Sequence, residues 1–497
     1  MHTCKKYCIF AHNLPDMLFN SIEFAIFLPV VFLLYWFVFS RALRHCKHQL
    51  LWQNLFVLSA SYVFYGWWNW RLLILIAITS LSSWGTAIGI TSSQHIRKKK
   101  AWLSFNIILN LGILAVFKYY DFFVSSFCNA FGLDASSVVL HLLLPVGISF
   151  YTFQALSYSI DVYRGKISAT KDIIAFFAYI AFFPQLVAGP IERATNLLPQ
   201  FLRQRTFEYK EATDGMRRIL WGLFKKIVIA DNCAWYVDME WTDYANQNGS
   251  TLVLAAFLFA IQIYCDFSGY SDIAIGTARL FGFTLRENFR MPYFSRSAAE
   301  FWKRWHISLN TWFVDYVYIP LGGSREGKWR TVFNTFVIFL LSGLWHGANW
   351  TYVTWGLYHA ILFIPLIFLG LTKKYRDTPS WRQVPQIILT FLLVSIGWII
   401  FRAPSLHDAW LYVYNMLIHI DHGAPWWGMP ARMNQLVAAI VLLFALEWIN
   451  KDKIHALSTL PKNRFLRVTF YIALACWCTY NIYAFTTGSH PFIYFQF

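Results

Sequence analysis

The sequence predicts an all-α protein that crosses a membrane many times. Hydrophobic residues make up 57% of its 497 residues and charged ones only 13%, too few to cover a water-soluble surface. Mean hydropathy is +0.43, and apolar runs of about 20 residues recur from end to end, each long enough to span a bilayer. Aromatic residues reach 20%, and Tyr65-Gly66-Trp67-Trp68-Asn69-Trp70 reads as an interfacial belt, where rings are buried and polar edges stay wet.

Apolar runs start near residues 23, 51, 71, 101, 139, 251, 331, 350, 384, 434 and 468, which predicts about 11 transmembrane helices. Two more stretches, 172–190 and 219–236, are interrupted, the first by Pro184, Gly189 and Pro190, the second by Lys225 and Lys226. They read as one or two re-entrant or interfacial helices, because broken backbone survives at membrane depth only inside protein or beside a cavity. Residues 1–16 are polar and read as an extension ahead of Met17, a candidate native start. The remainder, 17–497, reads as one domain. No small-residue cleavage site follows the run from Glu23 to Phe39, so that run is expected to be retained as a span.

The formal charge is +17, but the basic residues sit in short loops between apolar runs. That is the positive-inside pattern, and it argues against a nucleic-acid partner. Arg41 to Lys47, Arg97 to Lys100 and Arg164 to Lys171 are expected on the cytoplasmic face, and 237–250 and 403–433 outside. The eight cysteines show no zinc spacing. His359 follows His346 by thirteen residues, whereas a ligand pair on one helix face is three or four apart, so no metal is expected. The chain has no internal repeats, which weakens a transporter or channel reading in which buried histidines relay protons.

The region from about 180 to 360 places ionisable groups among apolar ones, where they need partners, water or a function. Four segments stand out: Phe183-Pro184-Gln185-Leu186-Val187-Ala188-Gly189-Pro190-Ile191, Tyr264-Cys265-Asp266-Phe267-Ser268-Gly269-Tyr270-Ser271-Asp272, Phe301-Trp302-Lys303-Arg304-Trp305-His306-Ile307-Ser308-Leu309 running on to Asp315 and Gly323, and Leu341-Ser342-Gly343-Leu344-Trp345-His346-Gly347-Ala348. Together they resemble the membrane-bound O-acyltransferase family, in the bacterial branch that includes the membrane subunit of alginate O-acetylation. The resemblance extends to the terminal Phe492-Ile493-Tyr494-Phe495-Gln496-Phe497. It implies that His346, in the Trp-His-Gly segment, is the catalytic histidine. His306 matches the family's second position, which is Asn in many eukaryotic members and His in this branch.

The chemistry suits those residues. Acyl transfer from a thioester needs a hydroxyl stripped of its proton, and a neutral imidazole does this without carrying a charge into the membrane. His346 is expected to act as general base, and His306 to orient the acyl donor or polarise its carbonyl. On composition alone each reads first as a hydrogen-bonded interior residue, and the resemblance turns that reading towards function. Asp266, Trp302, Arg304, Asp315 and Trp345 are candidates for lining a central tunnel, with Asp315 a possible support for His306. Asp266 and Asp272, six apart, would face different sides of a helix and read as structural. The resemblance implies acetyl-CoA as donor on the cytoplasmic side and an extracytoplasmic polysaccharide or peptidoglycan hydroxyl as acceptor. It also implies an esterase-like partner of the SGNH type outside a bacterial inner membrane. A lipid or protein acyltransferase of the same family, with a longer acyl chain, is the other reading within this chemistry.

Overall fold

The computed structural model describes residues 17–187, 189–375, 377–419, 423–458, 463–485 and 492–493. The expected extension 1–16, Ala188 and the last four residues of the terminal segment lie outside that set. The described residues form helices and no strand. Eight helical stretches are long and apolar enough to cross a membrane: Ile22–Ala42, Gln49–Ser92, Ile96–Ala130, Gly249–Leu280, Trp350–Phe368, Trp381–Arg402, Pro430–Ile449 and Arg464–Phe485. The second holds two helices, Gln49–Asn69 and Leu73–Ser92, joined by the turn Trp70–Leu72 inside the aromatic belt.

Two of the eleven expected spans differ. The run expected from 139 becomes helical only at Ile148–Tyr163, because Pro145 and Gly147, with φ of +73°, hold the preceding backbone irregular. The run expected from 331 is a 19-residue helix, Lys328–His346, whose first turn carries Lys328 and Arg330. It falls outside the eight.

The helix Gly249–Leu280 is the axis of the fold. Its apolar window is 83% buried, against 11% for Ile96–Ala130, which lies at the periphery. It packs along Tyr209–Leu223, the π-helical Phe224–Ala230 and Asp231–Thr242. Glycines set the approach: a Cβ at Gly222 would sit 2.5 Å from the Gly269 carbonyl oxygen, and one at Gly215 2.7 Å from that of Gly276. The close contact brings Lys225 within 2.6 Å of Asp272 and Lys226 within 2.8 Å of Asp266. The stretch 219–236 is therefore not interrupted by its lysines. It is continuous helix, because each buried ammonium meets a carboxylate. The stretch 172–190 does break, at Phe182, between Ile173–Ala181 and Phe183–Leu186.

A hairpin of Lys328–His346 and Trp350–Phe368 packs as tightly. A Cβ at Gly343 would collide with the Tyr352 carbonyl oxygen, and one at Gly356 with that of Phe339. The two helices meet at backbone contact, with His346 at the turn.

Candidate active site

His346 is the last residue of its helix and is 3% exposed. Its Nδ1 lies 2.6 Å from the Ser342 carbonyl oxygen, one turn back. A carbonyl only accepts, so Nδ1 carries the proton and Nε2 holds the lone pair. The rings of Trp345, Trp355 and Phe401 enclose the imidazole at centroid distances of 5.1, 5.0 and 5.6 Å.

His306 is 1% exposed and stands in left-handed backbone, φ +43° and ψ +52°, at the start of the short helix Ile307–Phe313. Asn288, fully buried, holds it there. The Asn288 carbonyl oxygen accepts from Ile307 N–H at 2.9 Å. Its side-chain Oδ1 accepts from Ser308 N–H at 3.3 Å and Ser308 Oγ–H at 2.8 Å, and lies 3.1 Å from His306 Nδ1. The backbone N–H of Ser308 can only donate, which fixes the atom facing it as the amide oxygen. His306 Nδ1 must then donate as well, leaving a lone pair on Nε2. No described residue bonds that nitrogen.

The two imidazoles stand edge to face, nearly perpendicular, with centroids 6.4 Å apart. Phe267, from the Asp-Phe-Ser-Gly-Tyr segment, stands edge-on to His306 at 4.7 Å, and Trp345 lies 5.6 Å from it. A cavity of about 20 Å³, room for about one water, opens between Trp302, His306, Leu309, Phe339 and Ser342. His306 lines it and His346 does not; Ser342, whose carbonyl bonds His346, reaches it from the other helix.

Among the sequence candidates, Trp302 and Trp345 join the two histidines. Trp302 lines the cavity and donates its indole N–H to His359 Nδ1 at 3.3 Å. Asp266 does not: it pairs with Lys226 and accepts the N–H of Ile493 at 2.7 Å, tying the C-terminal segment to the central helix. Asp315 is 42% exposed and pairs with Arg193 at 3.2 Å rather than supporting His306. That support comes from Asn288, whose position eighteen residues upstream gives no periodic signal. Arg304 pairs with Glu300, one turn back on Ala298–Arg304, and its partner in the pattern, Lys303, caps the Thr372 carbonyl at 2.6 Å. His359 is fully buried and lies across Trp355 from His346, a placement the sequence did not suggest. No group of three or more His, Cys, Asp or Glu side chains among the described residues is arranged to hold a metal.

Known proteins carry the same pattern. The chain is 43% identical over 404 residues, 79% of each chain, to a probable alginate O-acetylase AlgI of Pseudomonas putida. It is 34% identical over 424 residues to a peptidoglycan O-acetyltransferase of Helicobacter pylori, covering 79% of this chain and 78% of that one. A teichoic acid D-alanyltransferase of Bacillus subtilis is 30% identical over 281 residues, 54% of this chain and 71% of its own. The profile of the membrane-bound O-acyltransferase family matches residues 31–402, which includes both histidines and the residues described around them. The chain is a multi-pass membrane acyltransferase and belongs to the membrane-bound O-acyltransferase family.

Proposed function

We propose that the protein transfers an acetyl group from acetyl-CoA, met from the cytoplasmic side of the bacterial inner membrane, to a hydroxyl destined for an extracytoplasmic polysaccharide. An esterase-like partner of the SGNH type outside completes delivery to the glycan. The observation that carries the reading is the pair of neighbouring buried imidazoles, each with Nδ1 committed as a donor, which puts the basic lone pair on Nε2. Relatives named for acetylation of alginate and of peptidoglycan support a sugar hydroxyl as acceptor.

In this reading His346 Nε2 takes the proton of the acceptor hydroxyl as its oxygen adds to the thioester carbonyl. The tetrahedral adduct collapses, the carbon–sulfur bond breaks, and the departing thiolate takes the proton back from His346. No net proton is consumed. His306 cannot polarise the carbonyl while neutral, because the nitrogen it presents is an acceptor. Its role is to receive an N–H or O–H from the donor arm or the acceptor, which orients that group towards His346. The rings of Trp345, Trp355 and Phe401 keep bulk water away from the thioester.

The test is His346→Ala. Loss of a general base lowers the rate by about 100- to 10,000-fold. Ester-linked acetyl on the cell-surface glycan is the readout, normalised to protein in the membrane. Wild-type acetylation in that variant would refute the assignment.

A further inference from the structure

The geometry points to Lys118 as a positioning residue for acyl transfer: from a neighbouring helix, its amino group locks the end of the helix on which His346 stands. The inference rests on the acyltransfer reading above.

Helix Lys328–His346 ends abruptly. The chain leaves it through Gly347 in extended backbone, and its final carbonyls have no continuing turn to bond. Two consecutive side chains of another helix meet them. The Tyr119 hydroxyl donates to the Leu344 carbonyl at 2.9 Å. Lys118 Nζ donates to the Trp345 carbonyl at 2.6 Å and the His346 carbonyl at 3.3 Å. Its remaining neighbour is Ser149 Oγ at 3.5 Å. Both residues belong to Ala115–Tyr119, a short π-helical turn inside a long helix, and such turns are frequent at functional sites.

The cap is a lysine amino group, and none of the described carboxylates pairs with it. An ionisable group buried at membrane depth is expensive and by default marks function. Its N–H groups point at the end of the helix, where carbonyl oxygens concentrate. Lys118 thus binds the one backbone segment whose displacement would carry His346 with it. Trp345, whose ring lies 5.8 Å from Nζ and 5.6 Å from His306, is held by the same contact. Lys118 touches no reacting atom in this arrangement. It fixes the distance between the two imidazoles.

The test compares Lys118→Met and Lys118→Arg with His346→Ala in proteoliposomes holding the full chain, with thiol release from acetyl-CoA as the rate. A misplacement of about 1 Å costs about 100-fold, so Lys118→Met should lower kcat by about that factor with KM nearly unchanged. Lys118→Arg, which keeps the donors, should restore most of it. A second readout needs no turnover: hydrogen exchange of the amides at 343–349 should rise in Lys118→Met and fall back in Lys118→Arg. Unchanged exchange at 343–349, or kcat within about threefold of wild type in Lys118→Met, overturns the inference. If His346→Ala keeps wild-type turnover, the acyltransfer reading fails instead, and the exchange result still decides whether Lys118 holds the helix end.

Discussion

Replacing Asn288 with Leu tests how much of the site depends on one buried amide. Leu is close in size and fills the same space, so the change removes chemistry more than volume. Three donors lose their acceptor: His306 Nδ1–H, Ser308 N–H and Ser308 Oγ–H, now at 3.1, 3.3 and 2.8 Å from Oδ1. A buried donor left unmade costs about 1–3 kcal/mol. The serine hydroxyl can rotate, but the other two donors cannot leave, so destabilisation of about 2–5 kcal/mol follows. The catalytic effect is separate. Without Oδ1 nothing fixes which nitrogen of His306 carries the proton, and the left-handed backbone keeps only the Ile307 N–H bond to the carbonyl of residue 288. A displaced or tautomerised imidazole should lower the rate by about 100-fold. Asn288→Asp keeps the acceptor but loses the amide N–H that donates to Ser271 Oγ at 3.2 Å and buries a carboxylate, so it should recover only part of the activity lost in Asn288→Leu. The assay is glycan acetyl content per unit of membrane protein, with thermal unfolding in detergent alongside. Wild-type acetylation in Asn288→Leu, or equal loss in Leu and Asp variants, would refute the reasoning.

Lys225→Met should destabilise the protein by about 3–5 kcal/mol, because it leaves Asp272 with Arg218 but breaks a buried network that also includes Glu287; unfolding in detergent measures it, and a Lys225→Met protein as stable as wild type would contradict the pairing. A cysteine placed at Lys99 should react with an impermeant thiol reagent only from the cytoplasmic side, as the basic run Arg97 to Lys100 requires; labelling in intact cells would reverse the orientation.

The sequence made the larger outline legible for a simple reason: burial in lipid demands long apolar helices, and these leave a one-dimensional trace. His346 was singled out by the resemblance of its Trp-His-Gly segment, and the glycines beside it, Gly343 and Gly347, stand where the two arms of the hairpin come close. What escaped were features created by contact between distant segments. Nothing in the spacing of Glu287-Asn288-Phe289 says that residue 288 will hold residue 306. Nothing around Lys118 tells a loop anchor from a helix cap. Asp315 looked suited to support His306 because it is near in sequence, yet the intervening helix carries it to the surface and to Arg193. The lysines at 225 and 226 looked like a break because an unpaired charge would be one; Asp272 and Asp266, some forty residues away on the central helix, pair with them, and Asp231, five residues on, also meets Lys226.

The left-handed backbone at His306 also changes how that position must be probed. Only Gly, Asn, Asp and His visit such a conformation readily. The two residues that the family resemblance allows here, His and Asn, are both in that small set, so the choice is filtered by φ as well as by chemistry. Alanine, the usual truncation, would add about 1–2 kcal/mol of backbone strain to whatever the missing imidazole does. An inactive alanine variant would therefore confound two causes. Glycine removes the ring without that strain, and asparagine keeps a polar tip on a backbone it tolerates. At this one residue, a Gly–Asn–His series separates what the side chain does from what the turn requires.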